Sequence, residues 1–321
     1  MTDIELSPRV ADSFVRMDWR EEGDDPMGFR TALITNYELG KVIILKNPPF
    51  HVNFDLLNKV SVPRGRRFQK LSDKILRTPR LYRAEVRRLL YDAFGTNLPL
   101  YLAFRREVKR LSGSLRDFAR TVFRPYRFLK LGVSWRFTPT GPEGLHVDFF
   151  RNEEDLHYLR IFMNVDHEPR VWTLSHQLEE LIDRYYDEAR LFELAEAPSN
   201  ALCSRLNKVV FDHANALPRG AMDRHVVSFA PGDVWLCETR LNSHEIYSGH
   251  RLVATDFYVD PASMLDPSQR VRRSLERLRA SRTPSYLEGN PAGGWSRRES
   301  GVNKHAAGLG WPLTIARERQ A

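Results

Sequence analysis

Two histidines and one aspartate in this 321-residue sequence have the residue types of a metal site. His146 and Asp148 lie two residues apart in the strand-like stretch LHVDF, and side chains two apart on a strand point to the same side. His244, which follows 96 residues after Asp148, can supply a second imidazole. Two histidines and one carboxylate that leave coordination positions open are the ligand set of non-haem Fe(II) oxygenases. The sequence therefore predicts an Fe(II) site formed by His146, Asp148 and His244.

An arginine seven residues after His244 predicts that an acidic cosubstrate binds beside this metal. Arg251 opens the strand-like stretch RLVATDFYV, and a guanidinium held on a strand can bind a carboxylate with two hydrogen bonds. We expect Arg251 to lie on the inward face and to hold the distal carboxylate of 2-oxoglutarate. His250 is the competing third ligand. If His250 bound the metal, the adjacent Arg251 would point to the opposite face of the strand, and no arginine would lie at a suitable distance for the cosubstrate. This spacing favours His244 as the third ligand.

Other enzyme chemistries lack their sequence motifs in this chain. There is no GxSxG elbow, no phosphate-binding loop and no GxGxxG dinucleotide fingerprint. The two cysteines, Cys203 and Cys237, give no thiolate cluster for zinc or for an iron–sulfur centre. So few cysteines suit a reducing compartment, and no apolar run approaches the roughly 20 residues of a membrane span. These features predict a cytoplasmic protein.

The predicted secondary structure changes along the chain from helices to strands, and the strands must position the metal ligands. Apolar residues recur at helical spacing in residues 66–123, whereas residues 126–260 contain several short stretches rich in β-branched and aromatic residues. We therefore predict an α+β fold with a double-stranded β-helix (jelly-roll) core and N-terminal helices packed outside it. One domain is expected to cover residues 1–321.

The C-terminal residues 266–321 form a basic tail. From residue 270 onward the chain has eleven Lys/Arg against four Asp/Glu, so most of the formal charge of +8 lies there. Val271, Leu275 and Leu278 make an apolar stripe among arginines. Such a helix can pack on its own domain or lie peripherally on the inner face of an anionic membrane. Binding of nucleic acid by the tail is a further hypothesis, which we rank last.

Three longer stretches of the sequence resemble one known family. SWRF followed by LHVDFF, then LRIFMNVDHEPRVWTLSHQLEEL, then PGDVWLCETRLNSHEIYSGHRLVATDFYV are similar to the 3-deoxy-D-manno-oct-2-ulosonic acid (Kdo) 3-hydroxylases. The resemblance runs from about Tyr37 to about Val259. It implies Fe(II), O2 and 2-oxoglutarate as cofactor and cosubstrates, and the Kdo sugar of lipopolysaccharide as substrate.

The resemblance also implies roles for individual residues beside the metal. The family pattern matches the three predicted metal ligands. The residues that it implies for binding cosubstrate or substrate are Arg251, Asn164, Arg160 and Arg136.

Residues 149–154, FFRNEE, depart from the loop of small residues that the family pattern has after HVD. Because a substrate would enter there, two hydroxylase hypotheses stay open. One substrate is Kdo on a lipid A precursor, and the other is a soluble small molecule such as a natural-product intermediate. A non-catalytic jelly-roll binding protein is a third hypothesis, which the intact set of metal ligands and Arg251 disfavours.

Overall fold

The computed structural model describes residues 2–60, 71–78, 84–137, 143–149, 156–194, 197–211 and 222–281, and these residues form a mixed fold of helices and sheets. The first elements are β1 (Asp3–Glu5), β2 (Phe14–Asp18), a 3-10 turn (Trp19–Gly23), α1 (Pro26–Glu38), β3 (Val42–Lys46) and α2 (Phe54–Asn58). Helices therefore already precede the helical part predicted to begin near residue 66.

The described residues of the predicted helical part form a short strand and three helices, and one of the helices is long. These elements are β4 (Leu71–Ser72), α3 (Asp73–Arg77), α4 (Ala84–Phe94) and α5 (Leu98–Val122). Asn97 caps α5, because its side chain accepts a hydrogen bond from the backbone N–H of Leu100 at 3.0 Å. Residues 61–70 and 79–83 of this part lie outside the described residues.

The prediction of a strand-rich region after residue 126 is confirmed. Its strands are β5 (Phe128–Phe137), β6 (Glu143–His146), β7 (His157–Leu159), β8 (Ile161–Asn164), β9 (Arg170–Gln177), β10 (His225–Phe229), β11 (Val234–Leu236), β12 (Asn242–Ser248) and β13 (Arg251–Val259). Among the described residues, the helices α6 (Leu178–Tyr185) and α7 (Ser199–Leu206) lie between these strands, and α7 continues into a π-helical turn (Asn207–Phe211). The last described helix is α8 (Val271–Ser281).

The strands form two sheets. Sheet I has the order β1-β10-β9-β12-β6 and is antiparallel throughout. Sheet II has the order β2-β3-β11-β8-β13-β5-β4, with β7 also paired to β13, and only its β2–β3 pair is parallel among the described strands. Strands distant in sequence therefore become neighbours, and residues from both ends of the strand-rich region meet.

Alternate residues of sheet II contact two different cores, as the two-residue period of a strand requires. Leu252 and Ala254 of β13 lie in the inter-sheet core with Trp172 of β9 and Trp235 of β11. Val253, Phe257 and Val259 lie instead in the helical core, where the buried face of α5 packs. One face of sheet II thus packs against sheet I, and the other packs against the helices.

The stripe of the basic C-terminal helix packs on its own domain. Val271 and Leu275 of α8 are buried in a second helical cluster with Leu178 and Leu181 of α6, and Leu278 packs against it. This stripe is therefore not exposed to a membrane surface. Residues 1–282 form one compact unit, and residues 283–321 lie outside the described residues. None of the described helices is long and apolar enough to cross a membrane.

Candidate metal centre

Strand pairing brings the three predicted metal ligands together. β6 pairs with β12 so that His146 and His244 are cross-strand partners, and their ring centroids are 4.5 Å apart. Asp148 joins them, with its Oδ1 3.5 Å from Nε2 of His146. One potential ligand atom from each residue lies within 4.8 Å of the other two. His250 is not in this cluster, because its Nδ1 lies 3.8 Å from Asp166.

Hydrogen bonds fix the orientation of both imidazoles. Nδ1 of His146 lies 2.7 Å from the carbonyl oxygen of Gly144, and Nδ1 of His244 lies 3.1 Å from that of Asn242. When such a ring is neutral and its Nδ1–H donates to the carbonyl, Nε2 is unprotonated, which is the arrangement that metal-binding histidines use. Trp172 stacks on His244 at 5.4 Å between centroids and limits its rotation.

Asp148 lies beyond the end of β6 rather than within it, and the β11–β12 connection holds it. Its backbone N–H donates to the carbonyl of Thr239 at 3.0 Å, and the Thr239 hydroxyl donates to Oδ2 of Asp148 at 2.5 Å. Arg160 lies 3.4 Å from the same oxygen. Two residues that the sequence did not single out therefore help to place the carboxylate. Thr239 does so directly, and Asn207 does so through Val147.

Asn207 clamps the residue between the two ligands. Its side-chain oxygen accepts from the backbone N–H of Val147 at 3.0 Å, and its amide donates to the Val147 carbonyl at 2.8 Å. This pair of bonds replaces strand pairing where β6 has ended. Asn207 belongs to the π-helical turn after α7, sixty residues away in sequence, and no local pattern marks it.

The protonation preferences of Asp148 and His244 suit cation binding, whereas at His146 a cation would compete with a proton. Burial would raise the pKa of Asp148, but the hydrogen bond from His146 and the charges of His244 and Arg160 hold that pKa well below its usual value. Burial, with the charge of His146, lowers the pKa of His244 to about 4. Burial also opposes protonation of His146, but the hydrogen bond and charge of Asp148 raise its pKa. The carboxylate is thus ionised, and His244 is neutral near neutral pH, as ligands must be.

A small cavity of about 50 Å³ between the sheets adjoins the three ligands. Arg136, Arg160, Glu143 and Asp256 also line it. Of the arginines predicted to bind cosubstrate or substrate, the structure therefore brings Arg136 and Arg160 to the cavity. Arg160 lies between two carboxylates, 3.4 Å from both Asp148 and Asp256.

Arg170 is a buried arginine that the sequence did not single out. It starts β9 two residues before Trp172, on the same face of the strand, and is fully buried. Burial and the charge of Arg136 lower the pKa of Arg170 to about 9. The charges of Arg136 and Arg170 therefore repel each other. The sequence contains a signal for this position, since Arg170 and Trp172 lie two residues apart in the strand-like stretch RVWTL and therefore share one face.

The prediction that Arg251 faces inward is wrong. Arg251 is on the face of β13 that looks at the helices, whereas Leu252 and Ala254 line the cavity. Its guanidinium donates to Asp166 at 2.9 Å and to the backbone carbonyls of Asn58 and Val60. The two-residue period places Arg251 on one face of β13 and Leu252 on the other, but sequence alone does not tell which of the two faces borders the metal.

Asn164 does not reach the cavity either. Its side-chain amide donates to the carbonyls of Glu168 and Phe229, at 2.9 and 3.0 Å, and its oxygen accepts from the backbone N–H of Asp166. These bonds join the end of β8 to the end of β10. The residue is fully buried, and these contacts give it a structural role at the edge of the inter-sheet core.

Comparison with known proteins identifies a family and a fold. The family model of the 3-deoxy-D-manno-oct-2-ulosonic acid (Kdo) hydroxylases matches residues 112–282, which is more than half of the chain. No curated protein matches the sequence.

Two solved structures of "the Kdo hydroxylase KdoO, a non-heme Fe(II) alphaketoglutarate dependent dioxygenase" resemble the chain. The complex with succinate and Fe(III) is 15% identical, covers 85% of this chain and 98% of that chain, and has a TM-score of 0.55. The complex with alphaketoglutarate and Fe(III) is 15% identical, covers 83% and 96% respectively, and has a TM-score of 0.56. At this identity the likeness shows the fold.

Proposed function

Because this chain belongs to the Kdo hydroxylase family, we propose that it is an Fe(II)- and 2-oxoglutarate-dependent dioxygenase that hydroxylates a Kdo sugar. One observation carries the proposal: His146, Asp148 and His244 converge beside a cavity, and both imidazoles are oriented through Nδ1. In the same proposal, sheets I and II are the two halves of a double-stranded β-helix, with the ligands at one end of the inter-sheet core.

The donor set fits Fe(II). Two imidazoles and one carboxylate on one side of an ion would leave the other coordination positions open, as non-haem oxygenases need. Bound iron supplies the activation of O2, coupled to oxidative decarboxylation of 2-oxoglutarate. The chain's own contribution is to hold the ligands: Asn207 fixes Val147, and Thr239 and Arg160 fix Asp148.

Arg136 is the best-placed group for the distal carboxylate of 2-oxoglutarate. Arg136 lines the cavity and is buried, and its charge bears on Arg170. Two neighbouring buried cations are costly unless anions compensate them. Glu143 lies 3.3 Å from Arg136, and Asp166, whose charge also favours the Arg170 cation, is paired with Arg251 at 2.9 Å. A cosubstrate carboxylate bound at Arg136 would add a further negative charge that favours both cations.

Arg160 orients Asp148 rather than binding the cosubstrate in this proposal. Its guanidinium bridges Asp148 and Asp256, and it also lies over the Phe162 ring at 5.0 Å. Asp256 reaches the cavity from β13, so Arg160 and Asp256 together border the space that a hydroxylated sugar can occupy. A sugar hydroxyl is a good partner for either charge.

Two measurements test the proposal. Anaerobic addition of Fe(II) and 2-oxoglutarate should give a metal-to-ligand charge-transfer band in the native chain and none in Asp148→Ala. With air admitted, succinate should form in step with hydroxylation of a Kdo-bearing lipid A precursor. Full iron-dependent turnover by Asp148→Ala would overturn the metal assignment. A charge-transfer band without succinate on the Kdo lipid would retain the metal site and overturn the substrate.

A further inference from the structure

A second, larger groove lies among the helices, away from the metal cluster. It has a volume of about 790 Å³ and is formed by the end of α3, by α4, by the turn at residues 95–97 and by the start of α5. Ligand sites in proteins typically measure about 300–1,000 Å³. The iron chemistry proposed above uses none of these residues.

The floor of the groove is apolar and its edge is exposed. Leu90 and Phe94 of α4 are buried beneath it, whereas Leu98 and Leu102 of α5 are 59% and 38% exposed. Tyr91 is 63% exposed beside them. Large apolar side chains that cluster in this way on a surface indicate a binding site, in contrast to scattered single ones.

Three arginines border this apolar floor. Arg77, Arg87 and Arg105 come from α3, α4 and α5 respectively, and no carboxylate is among the described residues that line the groove. Asp73 pairs with Arg77 at 3.2 Å from outside the groove, and the Arg105 guanidinium lies 5.6 Å from the Tyr101 ring. Guanidinium groups bind phosphate oxygens with two hydrogen bonds.

We propose that this groove binds a phospholipid of an anionic membrane, with an acyl chain on the Leu90–Phe94 floor and the phosphate among Arg77, Arg87 and Arg105. An apolar floor with cations only at the edge matches an amphiphile that is apolar at one end and anionic at the other. The chain's own tail is a poor occupant, because residues 270–321 carry an excess of seven positive charges. The proposal stands independently of the metal chemistry.

The groove is linked to the strand that carries Arg136. Phe94 contacts Phe104 at 5.0 Å between centroids, and Phe104 contacts Phe137 at 5.4 Å. Phe137 is the neighbour of Arg136 on β5, on the opposite face. A bilayer held at the groove would therefore lie on the helical side of β5, and the metal cavity would lie on the other side.

Co-sedimentation of the full chain with vesicles tests the proposal. Vesicles of phosphatidylcholine mixed with phosphatidylglycerol should bind the protein, and vesicles of phosphatidylcholine alone should bind it far less. Leu98→Asp should lower partitioning into the anionic vesicles by about tenfold or more, because it removes a large apolar contact. Arg87→Gln should lower it by about fivefold, the contribution of one cation near an anionic surface.

Two exposed residues outside the groove supply matched controls. Leu129→Asp changes a leucine that is 54% exposed, and Arg9→Gln removes an arginine whose side chain is 79% exposed. Both variants should partition like the native chain. Absence of binding to anionic vesicles would overturn the proposal. Equal losses in the groove and control variants, or no loss in the groove variants, would overturn it too, because the tail or general charge would then account for binding.

Discussion

Arginines on the two faces of sheet II are held in different ways. On the helix-facing side of β13, Arg251 donates to Asp166 at 2.9 Å and to the backbone carbonyls of Asn58, which ends α2, and of Val60. On the side that faces sheet I, Arg136 and Arg160 lie 3.3 and 3.4 Å from the carboxylates of Glu143 and Asp148. The first arrangement is a short contact supported by backbone groups. The second is a set of longer contacts around a cavity.

His157 is a second polar residue on the helix-facing side that has its partners within the protein. It is fully buried, with Nδ1 3.6 Å from Glu238, and its ring packs edge-on against Tyr37 and Tyr126. Glu238 in turn accepts from Arg240 and from the backbone N–H of Tyr158. The carboxylates of Glu238 and Asp166 on this side are thus paired with arginines of the protein itself. We expect their removal to change stability, and removal of the cavity-facing groups to change ligand binding.

Arg251→Met should give the largest loss of stability. It leaves the nearly fully buried Asp166 carboxylate without its closest cation, and breaking a buried pair in this way costs about 3–5 kcal/mol. Urea unfolding of the metal-free protein measures this change. The KM for 2-oxoglutarate should stay near the native value at a temperature where the variant is folded. A large rise in KM with unchanged stability would restore Arg251 to the cosubstrate site.

His157→Gln should reduce the sensitivity of the fold to acid. Burial lowers the pKa of His157 from 6.5 to about 4, so the unfolded chain binds a proton in this range before the folded chain does. The contribution of neutral His157 to the free energy of unfolding is therefore complete above about pH 6.5, and about 3 kcal/mol of it is lost as the pH falls to about 4. The variant should lack this component. Parallel pH profiles of unfolding free energy for the two proteins would refute the assignment.

The outcome for β13 shows what sequence can and cannot supply. The period of two correctly separated Arg251, Val253 and Phe257 from Leu252 and Ala254. Both sets are apolar enough to be buried, because helices cover one face of the sheet and a second sheet covers the other. With no polar face to mark the outside, alternation could not say which set bordered the metal. That choice depends on the packing of α5, which is a long-range property.

The metal cluster itself was accessible to sequence because each ligand lies in a strand-forming stretch. His146 and His244 are direct cross-strand neighbours, so pairing alone brings them together. Asp148 is held differently: β6 ends before it, and its position depends on Asn207 and Thr239. These two residues come from a π-helical turn and from a loop between strands. Neither has a local pattern, so neither could be predicted from sequence.

Arg136→Met should show that the cavity-facing Arg136, unlike Arg251, binds the cosubstrate. We expect the KM for 2-oxoglutarate to rise by about thirtyfold, because a buried charged partner of a carboxylate contributes at least about 2 kcal/mol. Unfolding free energy in the absence of ligand should change little, since removing Arg136 also relieves its repulsion with Arg170. Steady-state kinetics at saturating iron measures the effect, and Arg251→Met is the matched control. Equal KM values for the two variants would remove the distinction between the faces.

Thr239→Val should give the smallest effect and the sharpest test of how Asp148 is held. The substitution keeps shape and removes the hydroxyl that donates to Oδ2 at 2.5 Å. Partners that orient a metal ligand typically contribute about 10–100-fold to metal affinity, and we expect the lower end because Arg160 and the Thr239 backbone remain. Thr173→Val is the control, since Thr173 donates at 3.0 Å to Glu245, which is not a ligand. Competitive Fe(II) titration should show weaker binding for Thr239→Val alone. Equal affinity in both variants would mean that strand pairing, without the Thr239 hydroxyl, suffices to place the carboxylate.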